Sequence, residues 1–421
     1  MSAPRAAAPT SSTVAVPKRW LIALAAIFIT PWLIAAAIYA RGARTTDHGS
    51  ASVAAAATAT AGAHGPWGRI TTSRIIVSPP VEYIPGDEAP SQPIAWHLPN
   101  ASPDMAAAFL AWSGMPQSDA SRILGTARPD PSTKGITLFP DQATIRGFSP
   151  EVRARLYLKL AKSRMNRAQA ESYRFLGSAP SEWFDGSPVS AATRTLVEPL
   201  VYRDGPFLHF ADLETVRPAI TDANEWRLLR KALMRSSTVL ARLSVESASE
   251  VATLAQYWGA GGRRLDIRPL LESVAGAGAD AAIDVIHLLP LLARNNLYRY
   301  PKVTAVDLDK PLLANCLWTA LNFFAQEPDD TYLDVPTSLN ALKNDYYVVE
   351  DGFELGDVIA FIDDTGTLFH AAVYVADGLA FTKNGTSPMT PWTLMSVEHI
   401  RAFYNVRAEN ARLIYHRRKD F

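Results

Sequence analysis

The chain has one cysteine, Cys316, which follows Asn315 and opens a helix-like run, Leu317-Trp318-Thr319-Ala320-Leu321-Asn322-Phe323-Phe324. His370 stands 54 positions later and starts a strand-like run, His370-Ala371-Ala372-Val373-Tyr374-Val375. A thiol and an imidazole on two different elements are the parts of a nucleophile and its base, since only the fold can bring them together. A helix start suits the sulfur, because unpaired N–H groups and the positive dipole end stabilise a thiolate. Each residue also has a plainer role. A free cysteine beside Leu, Trp and Phe packs as a small hydrophobe, and a lone histidine commonly serves the core.

The base needs an element of its own. Gly356-Asp357 precedes the strand Val358–Ile362, Asp363-Asp364-Thr365-Gly366 makes a turn, and His370 falls early on the return strand, Leu368–Val375. A third polar residue follows from strand parity. On Leu379–Lys383 the side chains alternate, so Ala380, Thr382 and Asn384 share one side while Leu379, Phe381 and Lys383 share the other. Small residues suit the face beneath a packed helix. Asn384 can accept from a ring N–H and orient the imidazole, with Thr382 behind it, whereas a lysine ammonium has no acceptor. The expected site is therefore Cys316, His370 and Asn384. Asp357 reads as a turn residue, and Trp318, Phe323 and Phe324 as core.

These motifs together resemble the NlpC-type papain-like cysteine peptidases of the cell wall: Asn315-Cys316 on a helix, Leu355-Gly356-Asp357-Val358-Ile359-Ala360-Phe361, then His370 with Val373-Tyr374-Val375 and Gly378. The likeness runs from Asn315 to Tyr404, about a fifth of the chain. The order of Cys before His sets the chain apart from permuted relatives of the lecithin:retinol acyltransferase kind. The resemblance implies an α+β domain with a helix-borne Cys packed on an antiparallel sheet. It also implies amide hydrolysis through a thioester, with backbone N–H groups at the helix start holding the oxyanion and no metal or organic cofactor. The implied partner is a peptide or peptidoglycan-like substrate. Two departures bear on that substrate: members commonly show Asp-Cys-Ser-Gly where this chain has Asn315-Cys316-Leu317-Trp318, and the upstream Tyr-x-Trp-Gly-Gly stretch is missing. Another amidase or acyltransferase on the same scaffold, or a non-catalytic envelope scaffold, are the alternatives.

Further upstream, Trp20 to Ala40 carry no charge. At about 1.5 Å per residue they reach roughly 30 Å, the hydrocarbon thickness of a bilayer. Arg5, Lys18 and Arg19 precede this run, and Arg41 and Arg44 follow it, a weak bias toward a cytoplasmic N-terminus. A cleaved signal peptide is the rival reading, with an overlong apolar region and a poor cleavage site at Ile38-Tyr39-Ala40. The expected order is a cytoplasmic tail (1–19), a transmembrane helix (20–40), a low-complexity linker (41–65), a mostly helical middle domain (66–294) and the hydrolase domain (295–421). The last two would be extracytoplasmic.

In the middle, Ser149-Pro150-Glu151 signals a helix start running to about Leu176, with a basic face that reads as solvated. Asp222 opens a second helix on which Trp226, Leu229, Leu233, Leu240 and Leu243 recur. Asp204-Gly205 marks a hairpin, with His209 as a core histidine on its second strand. Helices are also expected at Asp104–Trp112, Ala248–Trp258, Leu265–Val274 and Ala281–Leu292. Lys+Arg and Asp+Glu number 41 each, a balance that gives no argument for nucleic acid. One cysteine excludes an internal disulfide, and the scattered histidines form no zinc-spaced cluster.

Overall fold

The structure, a computed structural model, describes residues 60–84, 93–278, 281–302, 313–405 and 410–420. The expected tail and spanning helix lie outside these residues. Among the described residues no helix is long and apolar enough to cross a membrane.

The first sheet has four strands, β1 (Thr60–Gly65), β2 (Gly68–Val77), β3 (Ser236–Ser244) and β4 (Ala282–Asp284), with β-branched runs on β2 and β3. They lie in that order, antiparallel, and β1 uses the last residues of the expected linker. β2 and β3 pair from Arg69 opposite Ser244 to Val77 opposite Ser236. The β-branched pair Thr238-Val239 and its pairing with β2 override the helical spacing of Leu240 and Leu243, so the Asp222-capped helix stops at Leu233.

A similar switch ends the Ser149-capped helix. It spans Pro150–Leu160, and Asn166 Nδ2 then takes the carbonyl of Leu160 at 3.0 Å as the chain turns away. Tyr173–Leu176 instead pairs as a strand with Phe207–Phe210, which buries Phe175 against Trp183 at 5.4 Å between centroids. Arg153 on that helix is fully buried and ion-paired with Asp212, so the basic series is not one solvated face. Gly205 takes the hairpin turn at φ 53°, between Tyr202–Asp204 and Phe207–Phe210. The expected first strand of that hairpin, Leu196–Arg203, is shorter: its start belongs to the helix Ala191–Val197 and a helical turn at Glu198–Leu200. Within Ala281–Leu292 a strand and a short turn replace the expected helix. The middle region is thus mixed α/β, with helices at Pro103–Trp112, Val251–Trp258 and Arg264–Gly276 near where periodicity puts them.

The second sheet has six antiparallel strands: β5 (Tyr346–Val349), β6 (Val358–Ile362), β7 (Leu368–Ala376), β8 (Leu379–Lys383), β9 (Trp392–Ser396) and β10 (Arg412–Arg418). Their spatial order is β5-β10-β6-β7-β8-β9. Apolar alternation anticipates β5 to β8 within a residue or two. It gives no hint that the last strand inserts between β5 and β6.

The two faces of this sheet belong to different cores. Val373, Val375, Leu379 and Phe381 pack with Leu317, Trp318, Leu321 and Phe323 of the Cys316 segment, and with Ile70, Leu243 and Trp258 from the first half of the chain. Burying a side chain of this size stabilises by about 1.5–3 kcal/mol. That burial, rather than the propensity of the six-residue helix Cys316–Leu321, holds the helix in place. On the other face, Phe361, Ala372, Tyr374, Ala380 and Met395 pack with Ile400 and Tyr404. One continuous core therefore crosses the expected boundary at residue 295, and the described residues form one unit.

Two local devices tie this together. Thr238 Oγ1 on β3 donates to the Leu394 carbonyl (2.7 Å) and accepts from the Leu394 N–H (3.0 Å), covering the outer edge of β9. At the end of the Cys316 helix, the Phe324 ring lies against Gly356 (φ 101°) and Gly261 (φ 73°). A side chain at either glycine would overlap the ring.

Candidate active site

Asn315 has extended backbone angles and its side-chain oxygen accepts from the Trp318 N–H at 2.9 Å, so Cys316 is the first residue of its helix. The helix is fixed on three sides. Trp318 Nε1 donates to Asp330 Oδ1 (3.1 Å), Trp392 Nε1 donates to Thr319 Oγ1 (3.0 Å), and Asn322 exchanges hydrogen bonds with the backbone of Asp329. The N–H groups of Ala371, Leu317 and Cys316 itself act on the sulfur.

Cys316 is partly exposed as a residue. Burial of its thiol is the largest influence on it and pushes its pKa up, partly offset by those three N–H groups and by the charge of Lys383. Lys383 is completely buried, and burial pushes its ammonium down to about 7, with Cys316 pulling it back up. Lys383 Nζ donates to the carbonyls of Gly385 (2.7 Å) and Ser387 (3.0 Å) and lies 5.7 Å from the centre of the Trp392 ring.

His370, the expected base, faces the other way. It is completely buried, its ring 4.5 Å from that of Tyr404 and 5.3 Å from that of Phe361, both in the core on the far side of the sheet from Cys316. His370 Nε2 meets Thr382 Oγ1 at 2.9 Å, and Thr382 Oγ1 donates to Asn384 Oδ1 at 3.3 Å. Because the hydroxyl proton goes to Asn384, the network assigns the Nε2–H to His370 as donor to Thr382. Asn384 stands one residue beyond β8 and also donates to Met395 Sδ at 3.2 Å. The structure thus joins His370, Thr382 and Asn384 in one chain, but through Thr382, and it brings none of the three to the Cys316 side.

The parity argument correctly grouped Thr382 with Asn384. It assigned the wrong face to the helix, which covers Leu379, Phe381 and Lys383. The physical reason is complementarity of bulk. Leu317, Trp318 and Phe323 fill the space over Val373 and Phe381, whereas the small Ala372 and Ala380 make room for Tyr404 and Met395. Lys383 is the residue the sequence reading missed. Its signal was a cation on the same parity as Leu379 and Phe381, where a charge is out of place.

A cleft of about 770 Å³ runs past the start of the helix. Ala314 and Trp318, neighbours of Cys316 in the chain, line it, Thr386 and Pro388 come from the loop after Lys383, Trp392 from the start of β9, and Arg299, Lys302 and Asp330 supply charge. Asp357 is buried away from it in a two-pronged pair with Arg417, both bonds 2.8 Å, and accepts the Glu354 N–H. Among the described residues no group of His, Cys, Asp and Glu could hold a metal ion. No model of a known protein family matches this chain, and no curated protein or solved structure does so either.

Proposed function

We propose that the chain is a membrane-anchored cysteine hydrolase that cleaves amide bonds, with cell-wall peptides as the substrate class. Cys316 is the nucleophile on an NlpC-type, papain-like arrangement of helix and sheet. One observation carries the reading: the only cysteine sits at a capped helix start, where nearby backbone N–H groups offset the burial of its thiol, and Ala314 and Trp318, two residues to either side of it, line a cleft. Those N–H groups are the donors an oxyanion or thiolate needs, and they come from fixed backbone. Residues 20–40 supply the anchor by their length and lack of charge, and the basic excess of Arg5, Lys18 and Arg19 before it favours a cytoplasmic N-terminus with the hydrolase outside the cytoplasm.

The test is digestion of purified muropeptides by the full chain in detergent, beside Cys316→Ala. New amines released by the wild type and absent with Cys316→Ala support the reading, and equal release by both overturns it. A second reading is favoured by the orientation of His370: an envelope scaffold in which the sheet and its buried histidine are purely structural. A thiol that resists alkylation until the protein is unfolded would support that reading.

A further inference from the structure

We propose that Lys383, rather than a histidine, is the general base for Cys316: its amine takes the thiol proton as the sulfur attacks. The inference rests on the hydrolase reading above and names the residue that completes its site.

The placement is geometric. β7 and β8 pair antiparallel with Val373 opposite Phe381. Continued by two residues, that register sets Ala371 abreast of Lys383, and Ala371 lies in the core under the Cys316 helix, its N–H acting on the thiol. Ala371, Phe381 and the Cys316 helix all belong to the same core, so thiol and amine share one face of the sheet. His370 is on the other.

The donor count then fits both protonation states. A neutral amine has two N–H bonds, and the carbonyls of Gly385 and Ser387 use both, leaving the lone pair for a proton. After transfer the ammonium keeps those two bonds and has a third N–H for the thiolate. Burial disfavours charge on both groups, so above about pH 7 the resting pair is thiol and amine, as a general base requires. Cys316 is the titratable group that acts on Lys383, the Trp392 ring and the two carbonyls lie around its amine, and Arg299, Lys302 and Asp330 line the cleft beyond.

The chemistry balances without another reagent. The S–H bond breaks as an N–H bond forms, and the sulfur electron pair adds to the amide carbon while the carbonyl pair moves to oxygen. On collapse the C–N bond breaks and the ammonium returns its proton to the leaving nitrogen. Water then gives a proton to the same amine, its oxygen bonds to the thioester carbon, the C–S bond breaks and the proton passes back to sulfur.

The experiment is iodoacetamide alkylation of Cys316 in the full chain as a function of pH. The wild-type rate is expected to reach its half-maximum near 7, where the amine titrates. Lys383→Met, similar in volume and without the amine, is expected to move that point above the ordinary thiol range and slow alkylation at neutral pH by about tenfold or more. Lys383→Arg should not restore the profile, because a guanidinium has no free lone pair. An unchanged profile in Lys383→Met, or full recovery with Arg, overturns the assignment. A measurement on unmutated protein guards against misfolding. The Lys383 side-chain ¹⁵N signal should titrate near 7 and shift once Cys316 is alkylated; an ordinary lysine midpoint insensitive to alkylation also overturns it. A Lys383-dependent profile without amine release from muropeptides would keep the base and reject the substrate, and a thiol inert in the folded protein at every pH would reject both.

Discussion

Asn315 does work that the chemistry of its neighbour depends on. Its side chain caps the start of the helix by accepting the Trp318 N–H and so fixes the backbone around the sulfur. Asn315→Ala is expected to cost about 1 kcal/mol of stability, read as a lower urea midpoint. Asn315→Asp keeps an acceptor at the cap and should leave stability near wild type. Its carboxylate beside the sulfur disfavours the thiolate, so alkylation at neutral pH should slow. Equal alkylation by wild type and Asn315→Asp would mean that the local field does not govern this thiol. The same argument explains why Asn315 is no simple loss where the peptidases it resembles show Asp.

At the scale of elements, the short sheet around His209 shows what burial does to a titrating group. His209 on Phe207–Phe210 is bonded to Ser172 Oγ at 3.0 Å, and burial, reinforced by Arg174, pushes it down to about 3 from 6.5. The unfolded chain therefore binds more protons than the folded one between those two values, and stability falls as pH drops from about 6.5 toward 3. His209→Gln keeps a polar side chain without the titration, so its urea midpoint should lose less on acidification than the wild type's. Parallel loss in both proteins would assign the acid sensitivity elsewhere. Strand and helix identity was readable where period and punctuation agreed, as for β7, β8 and the Asn315 cap. It failed at Tyr173–Leu176 and at Leu240 and Leu243, where apolar spacing fits a helix but partner strands distant in sequence supply the hydrogen bonds. The third residue of the expected site failed for a related reason, since alternation sorts side chains into two sets without saying which set a helix will cover.

For the whole molecule, the shared core has a direct consequence. Ile70, Leu243, Leu254 and Trp258 pack in the same cluster as Leu317, Phe323 and Phe381, and Thr238 closes the edge of β9. A fragment of residues 295–421 would expose that apolar surface and leave the edge strand open. It is expected to show no cooperative thermal transition, whereas residues 51–421 should unfold in a single one. Independent folding of the fragment, seen as a near-ultraviolet circular dichroism spectrum with a sharp melt, would contradict a common core. By itself the sequence determined that a lone thiol would start a helix, that β5 to β8 would be strands, and that Thr382 and Asn384 would share a side. Each of those follows from local periods, caps and turns. Only the tertiary structure decided that the side facing Cys316 holds Lys383 and that His370 is buried behind the sheet, because the face of a strand is chosen by the bulk of what packs on it, and here that bulk comes from residues far away along the chain.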